Sequence, residues 1–136
     1  MFTAGLGAFL LAHIAYTCGL VLITPDETPL QPASLVPIAA GFGAWIWLRP
    51  HLPKSLKAAV QFYIAAITAM VACALQLYAA TGSGWLCAGA IVFAISDLAV
   101  ARDRFIAQGL VNRMVGAPLY FCAQWLFVIG ICEIGQ

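Results

Sequence analysis

Two ionisable residues of this chain sit where water does not reach. Asp97 lies in Ala94-Ile95-Ser96-Asp97-Leu98-Ala99 and His13 in Leu10-Leu11-Ala12-His13-Ile14, each inside a long apolar run. A charge in such a setting is expensive unless it is partnered, so it marks a functional site by default. A carboxyl there can act as a general acid or base. Tyr16 stands three residues beyond His13 on the same helical face, and Tyr120 and Gln124 form an i,i+4 pair. These groups come from three apolar segments and occupy one overlapping depth band, which a shared interior cavity would explain. Each also has a plainer reading. Asp97 can be a protonated acid bonded to Ser96 or to another helix, and His13 an imidazole bridging helices. Tyr120 and Gln124 can be hydrogen-bonding glue.

The elements that must position these groups follow from composition. Of the 136 residues, 64% are hydrophobic and 8% charged. Soluble domains carry roughly 25% charged residues, so this chain cannot clothe itself for water. Five apolar segments stand out, at Phe2–Ile23, Ala33–Leu48, Ala58–Ala80, Trp85–Ala101 and Met114–Ile134. They predict an all-α, polytopic transmembrane helix bundle of about five spans in one domain, residues 1–136. The second segment is short, with Pro37 confined to its first turn, and the fourth can extend into Arg102–Asn112. Pro118 after Gly116 predicts a kink that opens space beside Tyr120. Ala65, Ala66, Ala69 and Ala72 predict a close-packing face, and Trp45, Trp47 and Trp85 read as interface anchors. At 1.5 Å per residue, Asp97 should lie about 7 Å from the cytoplasmic end of its span.

Charge sets the orientation. Arg49, Lys54, Lys57, Arg102, Arg104 and Arg113 flank the second and fourth loops, which share a face with the N-terminus in a five-span chain. Asp26 and Glu27 lie on the opposite face with no Lys or Arg, and Glu133, near that side, reads as solvated. The positive-inside bias therefore predicts a cytoplasmic N-terminus and an external C-terminus. A net charge of +1 excludes a nucleic-acid partner, which needs a basic stripe. The five cysteines lack ligand spacing and read as small buried hydrophobes. With no basic stretch ahead of it, the first segment reads as a permanent span.

Three motifs carry a family resemblance. Gly5-x-Gly7-x-Phe9-x-x-Ala12-His13-x-x-Tyr16 resembles the G-x-x-x-F-x-x-A/G-H-x-x-Y signature of the YhhN-like lysoplasmalogenases. Gly89-Ala90-x-x-Phe93-x-x-Ser96-Asp97 resembles that family's G-A-x-x-F-x-x-S-D segment. Pro118-Leu119-Tyr120-Phe121-x-Ala123-Gln124 resembles its P-x-Y-Y-x-A-Q segment, with Phe121 in place of the second tyrosine.

The resemblance implies hydrolysis of the vinyl-ether bond of lysoplasmalogens, giving a fatty aldehyde and a glycerophospho-head group, with no metal or organic cofactor. Its substrate is a lysophospholipid in the bilayer, and a homo-oligomer is left open. Such a reaction needs an acid that keeps its proton near neutral pH, and low dielectric disfavours the charged form of a carboxyl. Asp97 is then the catalytic group, while His13, Tyr16, Ser96, Tyr120 and Gln124 bind or orient substrate and water. Family members carry roughly eight spans, and an earlier helix bears a Gly-Asp whose aspartate would be a second carboxylate. This sequence starts at the helix bearing His13 and corresponds to the C-terminal portion, so turnover by this chain alone is in doubt. A non-catalytic helical module, serving packing, proton transfer or solute passage, is the alternative. A bacterial inner membrane is the expected location, although an internal eukaryotic membrane fits the same charge pattern.

The orientation is testable in intact cells. In a cysteine-free background, single cysteines at Lys54 and Arg104 should escape an impermeant thiol reagent added outside, and one at Glu27 should react. Labelling at Lys54 with protection at Glu27 would reverse the topology.

Overall fold

Inside an apolar medium every backbone N–H and C=O must be satisfied within the protein, and a helix achieves this within one segment. The computed structural model describes residues 2–135; of these, the side chains of Phe2, Thr3, Val111 and Arg113 lie outside the description. Among the described residues the regular elements are all helical. They are α1 (Phe2–Ile23), α2 (Leu35–Leu48), α3 (Lys57–Thr81), α4 (Gly84–Phe105) and α5 (Leu110–Ile134). Single 3₁₀ turns stand at Pro32–Ser34, Arg49–His51 and Lys54–Leu56.

Where the helices end is set by local chemistry. Gly82 closes α3 in the left-handed conformation (φ 76°), donating its N–H to the Tyr78 carbonyl at 2.8 Å. Only glycine adopts that geometry without strain. At the other end α4 extends into the Arg102–Asn112 stretch, as expected, and stops at Phe105. The Ile106 and Ala107 N–H groups both fold back on the Arg102 carbonyl, and Asp103 Oδ1 accepts the Gly109 N–H at 2.9 Å. Asn112 locks the turn by donating to the Ala107 carbonyl and accepting from Arg102. Consequently α5 starts at Leu110, ahead of the expected Met114, and runs as helix through Pro118. Because α4 continues to Phe105, Asp97 stands about 12 Å from its end rather than the expected 7 Å.

Packing fixes the helix directions. Leu6 of α1 joins Val60 and Ile64 of α3, while Leu20 joins Met70, Val71, Ala74 and Leu77. The two helices therefore run parallel, and the chain must return between them. It does so through α2. Its approach is held by Gln76 Oε1, which accepts the Gln31 N–H at 2.9 Å and the Ser34 hydroxyl at 3.3 Å. Its far end, Leu48, packs on Val60 with Leu52. From Gln76 to Val60 is about 24 Å along α3. Four helices, α1, α3, α4 and α5, are long and apolar enough to cross a membrane; α2, with 14 residues, spans about 21 Å. Arg49, Lys54, Lys57, Arg102 and Arg104 consequently gather at one end of the bundle, beside Leu6, Leu52 and Phe105. Exposed Asp26 and Glu27 stand at the other, where Ser83 hydrogen-bonds the exposed Glu133.

α4 and α5 form the tightest pair, an antiparallel hairpin built on small residues. A Cβ at Gly89 would lie 3.3 Å from the Ala123 carbonyl oxygen, and one at Gly130 only 2.6 Å from Leu86 Cγ. Small residues at such contacts let backbones approach where no hydrophobic drive operates between helices. The alanine face of α3 is covered only in part. α2 meets it at Gly41 and Thr68, and Ala65 and Ala69 remain exposed along a shallow groove. Of the cysteines, all free, Cys87 is buried and Cys73 half-buried, whereas Cys18, Cys122 and Cys132 face outward. Trp45 is half-buried against the Leu48–Val60 cluster, and Trp47 and Trp85 are exposed.

Gly130→Ala should cost about 1–3 kcal/mol, because Leu86 and its backbone cannot yield without parting α4 from α5. Gly7→Ala, which meets nothing within 4 Å, should leave stability equal or slightly raised. Thermal unfolding in detergent distinguishes the two, and equal losses would contradict the packing.

Candidate functional site

The centre of the site is a pair of side chains from α1 and α4. His13, fully buried, places Nε2 3.0 Å from Oδ2 of Asp97, which is 8% exposed. The other ring nitrogen, Nδ1, lies 2.7 Å from the Phe9 carbonyl one turn back. A carbonyl only accepts, so Nδ1 carries a hydrogen and Nε2 is left to face the carboxyl. One proton between Nε2 and Oδ2 makes the pair neutral, whichever atom holds it. The contact is short but poorly aligned for a hydrogen bond, and neither atom has another hydrogen-bond partner among the described residues.

Aromatic rings hold this pair in place. Phe93 packs edge-on to His13 at 4.7 Å between centroids, and Tyr63 does so from α3 at 5.2 Å. The Tyr63 phenol also interacts with the Asp97 carboxyl. Nothing in the sequence singled Tyr63 out, since a lone tyrosine in an apolar helix carries little cost and no motif marks it. Its only signal was its place one to two turns inside the basic end.

The other expected residues divide into two sets. Tyr120 and Ser96 line the same cavity as Asp97. Ser96 does not bond Asp97; its hydroxyl donates to the Gly116 carbonyl at 2.8 Å and ties α4 to α5. Tyr16 and Gln124 are joined to each other, Tyr16 donating to Gln124 Oε1 at 2.6 Å across α1 and α5. Tyr16 stacks on Phe127 at 4.5 Å and meets Phe93 edge-on, and neither Tyr16 nor Gln124 lines the cavity. Gln124 thus pairs across helices rather than with Tyr120 on its own.

The cavity occupies about 1000 Å³ and draws lining from all five helices. Its wall is mostly aliphatic, running from Leu75, Val36 and Pro37 past Tyr63 and Asp97 to Arg104 and Asn112 at the basic end. Asp97 and Asp103 are its acids, and Asp103 is engaged by the Gly109 N–H. Between α2 and α4 the wall is incomplete, for Ile91, Ile95 and Leu98 line the cavity yet are 41%, 48% and 40% exposed. A buried carboxyl at the side of a long apolar channel can give a proton to, or take one from, an amphiphile lying in that channel. Among the described residues no cluster of three His, Cys, Asp or Glu could hold a metal.

Comparison with known proteins gives a consistent picture. The model of the YhhN family matches residues 1–131. The chain is similar to the lysoplasmalogenase of Mycobacterium bovis, with 36% identity over 136 residues, 95% of this chain and 50% of that protein. The lysoplasmalogenase of Mycobacterium tuberculosis gives the same figures. Similarity to lysoplasmalogenase TMEM86B of Sus scrofa is 32% identity over 137 residues, 97% of this chain and 54% of the other. The chain thus spans about half the length of the curated relatives it matches. No solved structure shows a significant match.

If His13 and Asp97 support each other, their substitutions should not be additive. A double-mutant cycle on stability (His13→Ala, Asp97→Ala) should give a coupling of about 0.5–3 kcal/mol. Additivity within error would dissolve the pair.

Proposed function

The chain belongs to the YhhN family, and on that premise we propose that it is the hydrolytic portion of an integral membrane enzyme of the lysoplasmalogenase type. In this reading it cleaves the vinyl-ether bond of a lysoplasmalogen. The supporting observation is the Asp97 carboxyl, backed by His13, in the wall of an apolar cavity with one basic end. α2 counts as a fifth crossing, which puts the N-terminus and the basic end on the cytoplasmic side and the C-terminus outside, in a bacterial inner membrane.

Asp97 faces the cavity while His13 lies behind it, so Asp97 is the catalytic residue and His13 positions it. The proton shared by the pair is delivered to the β-carbon of the vinyl ether, whose π-electrons form the new C–H bond. The α-carbon becomes an oxocarbenium ion. The pair, having lost its proton, carries one negative charge directly beside that cation and stabilises it in a medium where the attraction is strong. Water adds to the cation and returns a proton to the pair. The resulting hemiacetal then collapses to the aldehyde and the free glycerol hydroxyl, with no net gain or loss of protons. Tyr63 and Tyr120 flank the reacting region and can hold the attacking water or the glycerol hydroxyl.

In the complete protein, Asp97→Asn keeps shape and hydrogen bonding but supplies no acid. Aldehyde release from a lysoplasmalogen should fall by about 10²–10⁴-fold while expression and thermal stability persist. Near-normal turnover would remove Asp97 from the chemistry and leave it a residue that only ties helices together.

A further inference from the structure

We propose that Arg104 binds the phosphate of a single-chain phospholipid and thereby fixes how the lipid lies, head group at the basic end and chain running past Asp97 towards Leu75. This rests on the lysoplasmalogenase reading and adds to it a head-group subsite and a direction.

Asp97 and Arg104 are seven residues apart on α4, two turns, and so share one face about 10.5 Å apart along the axis. Both line the cavity. Side chains on a helix lean towards its N-terminus, and the arginine chain is long enough to reach from its own turn towards Asp97. That narrows the gap to the scale of the glycerol backbone that separates a vinyl ether from its phosphate. The guanidinium offers a planar fork of donors suited to two phosphate oxygens.

The opposite orientation fails on charge. Past Asp97 the cavity is walled by Val36, Pro37 and Leu75, and the bundle end beyond carries Asp26, Glu27 and Glu133. From Tyr63 to Leu75 is about 18 Å along α3, room for a long alkenyl chain and none for an anion.

The test is binding of two uncleavable ligands to the complete protein in nanodiscs, a 1-alkyl lysophospholipid and the corresponding 1-alkylglycerol without phosphate. Wild type should favour the phosphate-bearing ligand by about ten-fold or more. Arg104→Gln should collapse that preference to about two-fold or less, and Arg104→Lys should retain part of it. Lys54→Gln, at the same end but outside the cavity wall, should preserve it. Equal binding of both ligands by wild type, or an unchanged preference in Arg104→Gln, would overturn the proposal. So would competition by glycerol 3-phosphate as strong as that of the lipid, which would mark a site for free phosphate. Because binding is read on ligands that are not cleaved, phosphate-selective binding by a wild type that releases no aldehyde from a lysoplasmalogen would refute the hydrolase reading while supporting the subsite.

Discussion

A carboxyl buried among hydrocarbon side chains needs a partner at its own depth, and much of this bundle is arranged to supply one. His13 reaches Asp97 because α1, packed on α3, turns its side chains towards α4 in one register, with the imidazole pinned by its second nitrogen to the Phe9 carbonyl. Phe93 and Tyr63 close on the ring edge-to-face and remove its freedom to rotate. Once α1 is fixed there and runs parallel to α3, the connection must travel the full length of the bundle to return. That is the task of α2. Its shortness and its anchoring by Gln76 at one end and Leu48 at the other are consequences of that geometry.

The bundle divides into a firm half and a loose half. Lipid tails are as apolar as leucine, so helices associate here through close backbone approach and polar ties. α4 and α5 have both, in Gly89, Gly130 and the Ser96–Gly116 bond, and this hairpin carries the Asp97 carboxyl. α2 leans chiefly on α3 at Gly41 and leaves open the side where Ile91 and Ile95 show. The firm half thus holds Asp97, and the slack half borders the apolar cavity.

Much of this was legible in the sequence, and the limits are physical. Hydropathy located every helix, because an apolar run has one stable solution in a bilayer. Asp97 and His13 declared themselves through the cost of burying them, and the clustered Lys and Arg residues marked one end. Rotation about each helix axis was not legible. Near-uniform apolar spans carry no amphipathic stripe, so nothing told Gln124 to face Tyr16 rather than Tyr120, or Ser96 to face Gly116 rather than Asp97. Tyr63 escaped because tyrosine is tolerated almost anywhere in such a helix. The exact stop of α4 within Arg102–Asn112 was not legible, because its signal is the contact of Asp103 with Gly109 and of Arg102 with Asn112, a turn chemistry that hydropathy cannot register.

The gap between α2 and α4 bears on how a lipid travels. A mouth facing only the aqueous side would require a substrate to lift its chain out of the leaflet, at a cost of about 0.8 kcal/mol for each methylene exposed to water. The cavity instead opens sideways beside Ile91, Ile95 and Leu98, at the same level as surrounding acyl chains. A single-chain lipid can slide in by lateral diffusion, its tail never leaving hydrocarbon. Under the proposed hydrolase reading, an aldehyde formed inside would leave by the same door into the leaflet, and the water-soluble fragment past the arginine-bearing rim.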